Sequence, residues 1–168
     1  MGLFDKLFQG KPKELPSVRE NEEKELREEK TTDSVPETAS GISLLDKHEE
    51  GLLDDRSFLR SFSEVKVFYS TPFGDHKDGG SRLFILPAQD ETAYLPVFSS
   101  AERAIEFYEK VGRRGYMIIE GTFRSFLETT KEVNRGAAPI KLGAVIDPDY
   151  YGVTINANAL DVVLDMLK

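Results

Sequence analysis

Cysteine and tryptophan are both missing from this 168-residue chain. Without thiols there is no disulfide staple, no thiolate zinc site, no CxxC redox pair and no cysteine nucleophile, and burial of apolar surface is left as the evident source of stability. No stretch approaches the ~20 consecutive apolar residues that span a bilayer, or the apolar core of a signal peptide, which predicts a soluble cytoplasmic protein. Basic excess is absent too: 30 Asp and Glu stand against 22 Lys and Arg, a net charge of -8. A field of that sign repels phosphate backbones and anionic lipid, so nucleic acid is not an expected partner. No GxSxG elbow, Walker loop, GxGxxG fingerprint or HExxH helix occurs, and no cofactor or metal is implied.

The charge is unevenly spread. Residues 1–56 carry 15 acids and 9 bases, and residues 57–168 carry 15 and 13, so the acidity belongs mainly to the first third. Residues 11–41 hold almost no large apolar side chains but three prolines and a dense mixture of Glu, Lys and Arg. Such a stretch cannot bury enough surface to offset the entropy of ordering, and it reads as a disordered charged linker. Ahead of it, residues 1–10 are a short amphipathic segment in which Leu3, Phe4, Leu7 and Phe8 would share one face of a helix. That hook could dock on a partner, lie at a membrane surface or fold back on its own domain. Lys6 stands where a myristoylation motif wants Ser or Thr.

Residues 42–168 read as the folded domain, with its core starting at about residue 55. Phe58, Leu59 and Phe62 mark one face of a short helix. Strands are predicted over 65–69, 83–86 and 93–98, with a turn-rich loop at 75–80. Pro96 cannot donate to a ladder, which puts the third strand at an edge or at the entry to its loop. Ser99 and Glu102 have the spacing of a capping box, opening a helix that Ala104, Ile105, Tyr108 and Val111 continue to a stop at Gly112. A strand over 116–119, a helix bearing Phe123, Phe126, Leu127 and Thr130, a strand pair over 142–146 and 152–155, and a last helix from Asn156 or Asn158 complete the pattern. The fold class is α+β, a layered sandwich with a mixed sheet of about five or six strands and three or four amphipathic helices.

Few residues suggest chemistry. His48 and His76 lie among charged loop residues, and Asp75, His76 and Asp78 suit a polar turn better than a metal or acid–base cluster. Asp147, Asp149 and Gly152 begin like a calcium loop, but Tyr151 and Asn158 fall where that loop needs an oxygen ligand and a bidentate Glu, so a tight turn is expected. Lys110, Arg113 and Arg114, with Arg124 and Arg135 further on, suit helix C-termini better than an anion site. Aromatics are plentiful, 11 Phe and 6 Tyr. Most must be core, while Tyr94, Phe98, Tyr108, Tyr150 and Tyr151 stand at element ends, where a ring can serve protein recognition.

The run Tyr94-Leu95-Pro96-Val97-Phe98-Ser99-Ser100, followed by a helix containing Ala104 and Phe107, resembles the strand-to-helix signature of the SseB (enhanced serine sensitivity) N-terminal domain. Leu142 to Pro148 looks like that domain's closing unit, so the resemblance covers about residues 55–168. The family usually has Thr where Ser99 stands and Asn where Asp147 stands; both departures preserve a cap or turn role. Tyr94, Pro96, Phe98, Ser99, Ser100, Asp147 and Pro148 are thus signature residues with structural roles. The resemblance implies an α/β fold and an accessory or protein-interaction role, with no active site to carry over.

The expected function is that of a non-enzymatic cytoplasmic interaction domain with an apolar hook on a flexible acidic linker, engaging a protein partner that the sequence does not identify. One alternative is a small ligand-binding sensor or enzyme using the 75–80 and 147–152 loops; another is a peripheral membrane adaptor held by residues 1–10. The oligomeric state does not follow from the sequence.

Overall fold

The computed structural model describes residues 40–87, 92–136 and 140–168. The hook at 1–10 and all but the last two residues of the linker lie outside the described residues. Helix α1 (Gly41–Glu49) opens on Ser40, whose side chain accepts from Ser43 N at 3.2 Å. Helix α2 (Asp55–Phe62) opens on Asp54, which accepts from Ser57 N at 3.0 Å and Ser57 Oγ at 2.8 Å. Both caps satisfy amides that a first helical turn leaves unpaired.

Among the described residues nine strands follow in three small sheets. β1 (Lys66–Tyr69) pairs antiparallel with β7 (Ile119–Thr122). β2 (Phe73–His76) lies between β3 (Ser81–Leu83) and β6 (Arg113–Arg114). The third sheet has the order β4 (Leu86–Pro87), β5 (Thr92–Val97), β8 (Lys141–Ile146), β9 (Val153–Ile155). Among the described strands only β5 and β8 are parallel, and the crossover between them contains α3 (Ala101–Lys110) and α4 (Phe123–Arg135). A 3-10 turn (Ala157–Ala159) leads into α5 (Leu160–Met166). The α+β class stands, but the strands are more numerous and shorter than the hydrophobic pattern suggests, and they are divided among three sheets.

Two apolar clusters hold these elements. The larger gathers Leu45, Phe58, Phe62, Val97, Phe123 and Ile146 among others, from α1, α2, α4 and the four-stranded sheet. The smaller contains Phe98, Ala104, Phe107 and Tyr108. Leu44 and Leu45 are buried in the larger cluster, so the core begins with α1 rather than near residue 55. The helix itself starts at Gly41, whose Cα faces Val65, Phe62 and Ser99.

Pro96 stands one residue from the end of β5 and past the reach of β4, which pairs only with Ala93 and Tyr94, as expected of a strand entering its loop. β5 is an inner strand, and Pro96 pairs in register with Val145. Asp147 N donates to Val97 O at 2.9 Å, while Phe98 exchanges 2.8 Å bonds with Phe68 on the other side. Backbone groups alternate along a strand, so the donor that Pro96 lacks would point away from β8, beyond the two-residue β4. The ladder to β8 therefore loses nothing.

Candidate functional site

In open α/β sheets, ligands bind outside the carboxyl ends of parallel strands. Here that place is the junction where β5 passes into α3 and β8 passes into the turn at 147–152. Asp147 is fully buried there, and its φ of 43° is the one positive value among the described non-glycine residues. Asp tolerates this left-handed region better than most side chains. Its backbone closes the turn: the carbonyl accepts from the amides of Tyr150, Tyr151 and Gly152 at 2.9, 3.0 and 3.1 Å.

Its carboxylate ties the two strand ends together. Ser99 N donates to Oδ1 at 2.9 Å and Ser99 Oγ to Oδ2 at 2.6 Å. Arg103, one turn into α3, donates to the same Oδ2 and to Ser99 Oγ, the latter at 3.1 Å. Ser99 is thus drawn out of the expected capping role, and Ser100 caps α3 instead, accepting from Arg103 N at 3.3 Å. Burial opposes the charge of Arg103, but the hydrogen bond and charge of Asp147, with a further bond from Tyr151, outweigh it and hold the guanidinium above its ordinary value.

Arg103 also carries the outer layer of the site. Its guanidinium lies 4.2 Å from the centroid of Tyr150 and 5.2 Å from that of Tyr151. Tyr150 remains 55% exposed and its hydroxyl donates to Glu106 at 2.9 Å, a bond that holds the phenol above its ordinary value. The hydroxyl of Tyr151 donates to Asp46 of α1. Asp149 pairs with Lys110 at 3.0 Å. This is no calcium loop: Asp147 is spent inward on Ser99 and Arg103. Ser99 Oγ and the Asp147 carboxylate are bonded to each other and both accept from Arg103.

The other sequence-predicted residues scatter. Phe98 and Tyr108 are 1% exposed and sit in the smaller core, so neither can present its ring to a partner. Tyr94 is half-buried with its hydroxyl on Asn156. The 75–80 segment divides into the end of β2 and a tight turn, which is locked onto the C-terminus of α3 by Lys77 N donating to Gly112 O at 2.8 Å. His76 Nδ1 lies 3.1 Å from Asp78, and Asp78 also pairs with Arg82. Among the described residues no three His, Cys, Asp or Glu side chains gather as a metal site would require.

The basic residues do not converge on an anion either. Arg113 is buried, donating through Nη2 to the carbonyls of Thr71 and Phe73, each at 2.8 Å, with its Cζ 4.7 Å from the ring centroid of Tyr108 and 4.8 Å from that of Phe84. Burial lowers its pKa. A polar cleft of about 400 Å3 between α4 and the 3-10 turn contains Lys131, Arg135 and Lys141. Lys131 is paired with Asp161, Arg135 with Glu132, and Lys141 donates to Asn134 O. By contrast, Phe73 and Leu83, direct partners on β2 and β3, are 70% and 49% exposed. No periodicity announces that outward-facing pair, because β3 is only three residues long.

The profile of the SseB protein N-terminal domain matches residues 43–161, well over half of the chain. The chain belongs to the SseB N-terminal domain family. No curated protein and no solved structure matches it. In this SseB domain five of the seven signature residues meet at one joint: Phe98 bridges β5 to β1, Ser99 and Ser100 start α3, and Asp147 with Pro148 starts the closing turn. Among the described residues of the SseB domain, no helix is long and apolar enough to cross a membrane.

Proposed function

We propose that this SseB-family chain is a non-enzymatic, cytoplasmic protein-interaction domain whose partner contacts the surface built on the 147–152 turn. One observation carries the reading. Where an α/β enzyme would keep reactive groups, Asp147, Ser99 and Arg103 consume one another's hydrogen bonds, while Tyr150 is left exposed on the outer face of Arg103. A Tyr ring preorganised over a guanidinium supplies contact area at small entropic cost, and Tyr and Arg are enriched among residues that dominate interface energies. The N-terminal hook, Leu3, Phe4, Leu7 and Phe8, supplies a second contact of weak affinity, and the acidic linker lets hook and domain engage one assembly.

The test is affinity capture from the native host with the full chain, its Tyr150→Ala variant and a chain lacking residues 1–10. A specific protein held by the full chain should be depleted on Tyr150→Ala by about 30-fold, as loss of a ~2 kcal/mol hot spot implies. If no protein is specifically retained by the full chain, the reading fails.

A further inference from the structure

β9 is the outer strand of its sheet, and its register determines which backbone groups it leaves free. Val97 O accepts from Asp147 N and Val97 pairs with Ile146, so in the parallel ladder its amide is directed to Val145 O. Val145 therefore turns its backbone toward β5, and its opposite number on β9, Thr154, belongs to a pair without mutual hydrogen bonds. The N–H and C=O of Thr154 point outward from the sheet.

They face a groove of about 420 Å3. One wall is β9 and Asn156; the other is made by His48 of α1 and by Asp55 and the half-buried Leu59 of α2, while Phe58 and Val163 border the groove from within the core. His48 stacks on Phe58 with centroids 4.4 Å apart and turns Nε2 to Asp55 Oδ1 at 2.9 Å. The Asp55 side chain is 93% exposed, so it offers negative charge at the mouth. A strand edge facing a helix across an apolar trough is the arrangement that receives an extended chain as an added strand: main-chain bonds give affinity and alternate side chains give selectivity.

We infer that this groove binds an extended segment of a partner protein that pairs with Thr154, places an apolar side chain against the half-buried Leu59 and Val153, and sets a Lys or Arg two residues along opposite Asp55. Side chains two apart in a strand share a face, which fixes that spacing. The charge of the mouth selects a cationic residue over an acidic one. This surface is separate from Tyr150, so either inference can fail without the other.

The probe is acetyl-Thr-Val-Thr-Lys-Thr-amide, titrated into the isotopically labelled full chain and followed by amide NMR. Controls are the same peptide with Glu for Lys and with an N-methyl group on the central Thr. Binding should move the Thr154 and Asn156 amides and the His48 ring, the N-methyl peptide should move none, and Asp55→Lys should weaken the Lys peptide by about two- to fivefold while favouring the Glu peptide. Thr154→Pro removes only an outward donor, which an edge strand tolerates, and should abolish the shifts. Absence of shifts, equal shifts with Lys and Glu peptides, or shifts that spare Thr154 would overturn the proposal. So would movement of the Thr154 amide on simple concentration of the chain, because a second copy would then be the occupant.

Discussion

The Tyr108 ring packs in the smaller core against Phe98, Phe107 and Tyr116, with ring centroids 4.9 to 5.7 Å apart. Burial pushes this phenol up to about 12 from an ordinary 10.0, against the opposing charge of Arg113. The folded-state value stands above the unfolded one, so the contribution of Tyr108 to stability is complete below pH 10 and is lost as pH rises toward 12. Urea midpoints measured from about pH 9 to about pH 11.5 should fall steeply in the native chain and more gently in Tyr108→Phe. Equal slopes would show that the hydroxyl ionises freely. The same residue marks how far sequence reading reaches at this scale. Helical spacing puts Tyr108 with Ala104 on an inward face, whereas nearness to a helix end suggested a surface role; closure of the smaller core decides for the former. Ser99 and Ser100 both fit an N-cap. The choice depends on Asp147, 48 residues further along the chain, which no local pattern can register.

At the scale of elements, β8 explains why the large sheet is close-packed. It runs between β5 and β9 with five of its six residues buried. Gly143 is the narrow point: a Cβ there would meet Ile155 O at 2.4 Å and the Tyr94 ring at 2.9 Å. A ring can turn, but a backbone oxygen can yield only if β9 moves. Gly143→Ala should therefore cost about 2–3 kcal/mol, seen as a lowered urea midpoint, and should speed amide exchange on β9 before it affects β1 and β7. Uniform acceleration in all three sheets would mean that β9 does not open separately. Helices were legible in the sequence because α3 and α4 repeat their apolar residues over ten and thirteen positions. β3, β4 and β6 are two or three residues long, too short for alternation to declare itself. The strand expected over 83–86 is divided between β3 and β4, and that expected at 116–119 becomes β6 and β7 on either side of it.

For the whole molecule, the question is where the fold begins. Sequence reading opens the folded domain at residue 42 but its core only at about residue 55, just ahead of the helical face formed by Phe58, Leu59 and Phe62. In three dimensions α1 lies on the same core as α2, His48 stacks on Phe58, and Asp46 holds Tyr151. Helix α1 therefore supports both proposed binding surfaces, one through Asp46 and the other through His48. Leu45 is fully buried, and Leu45→Ala should destabilise the chain by about 2–5 kcal/mol in urea unfolding. A chain starting at residue 54 loses Leu44, Leu45 and the aromatic stack together, a loss comparable to the ~5–15 kcal/mol that holds an ordinary domain. It should lack a cooperative transition and near-ultraviolet dichroism. Were it to unfold cooperatively at the native midpoint, α1 would be an appendage, and neither the Tyr151 contact nor the His48 wall could be credited with positioning a partner.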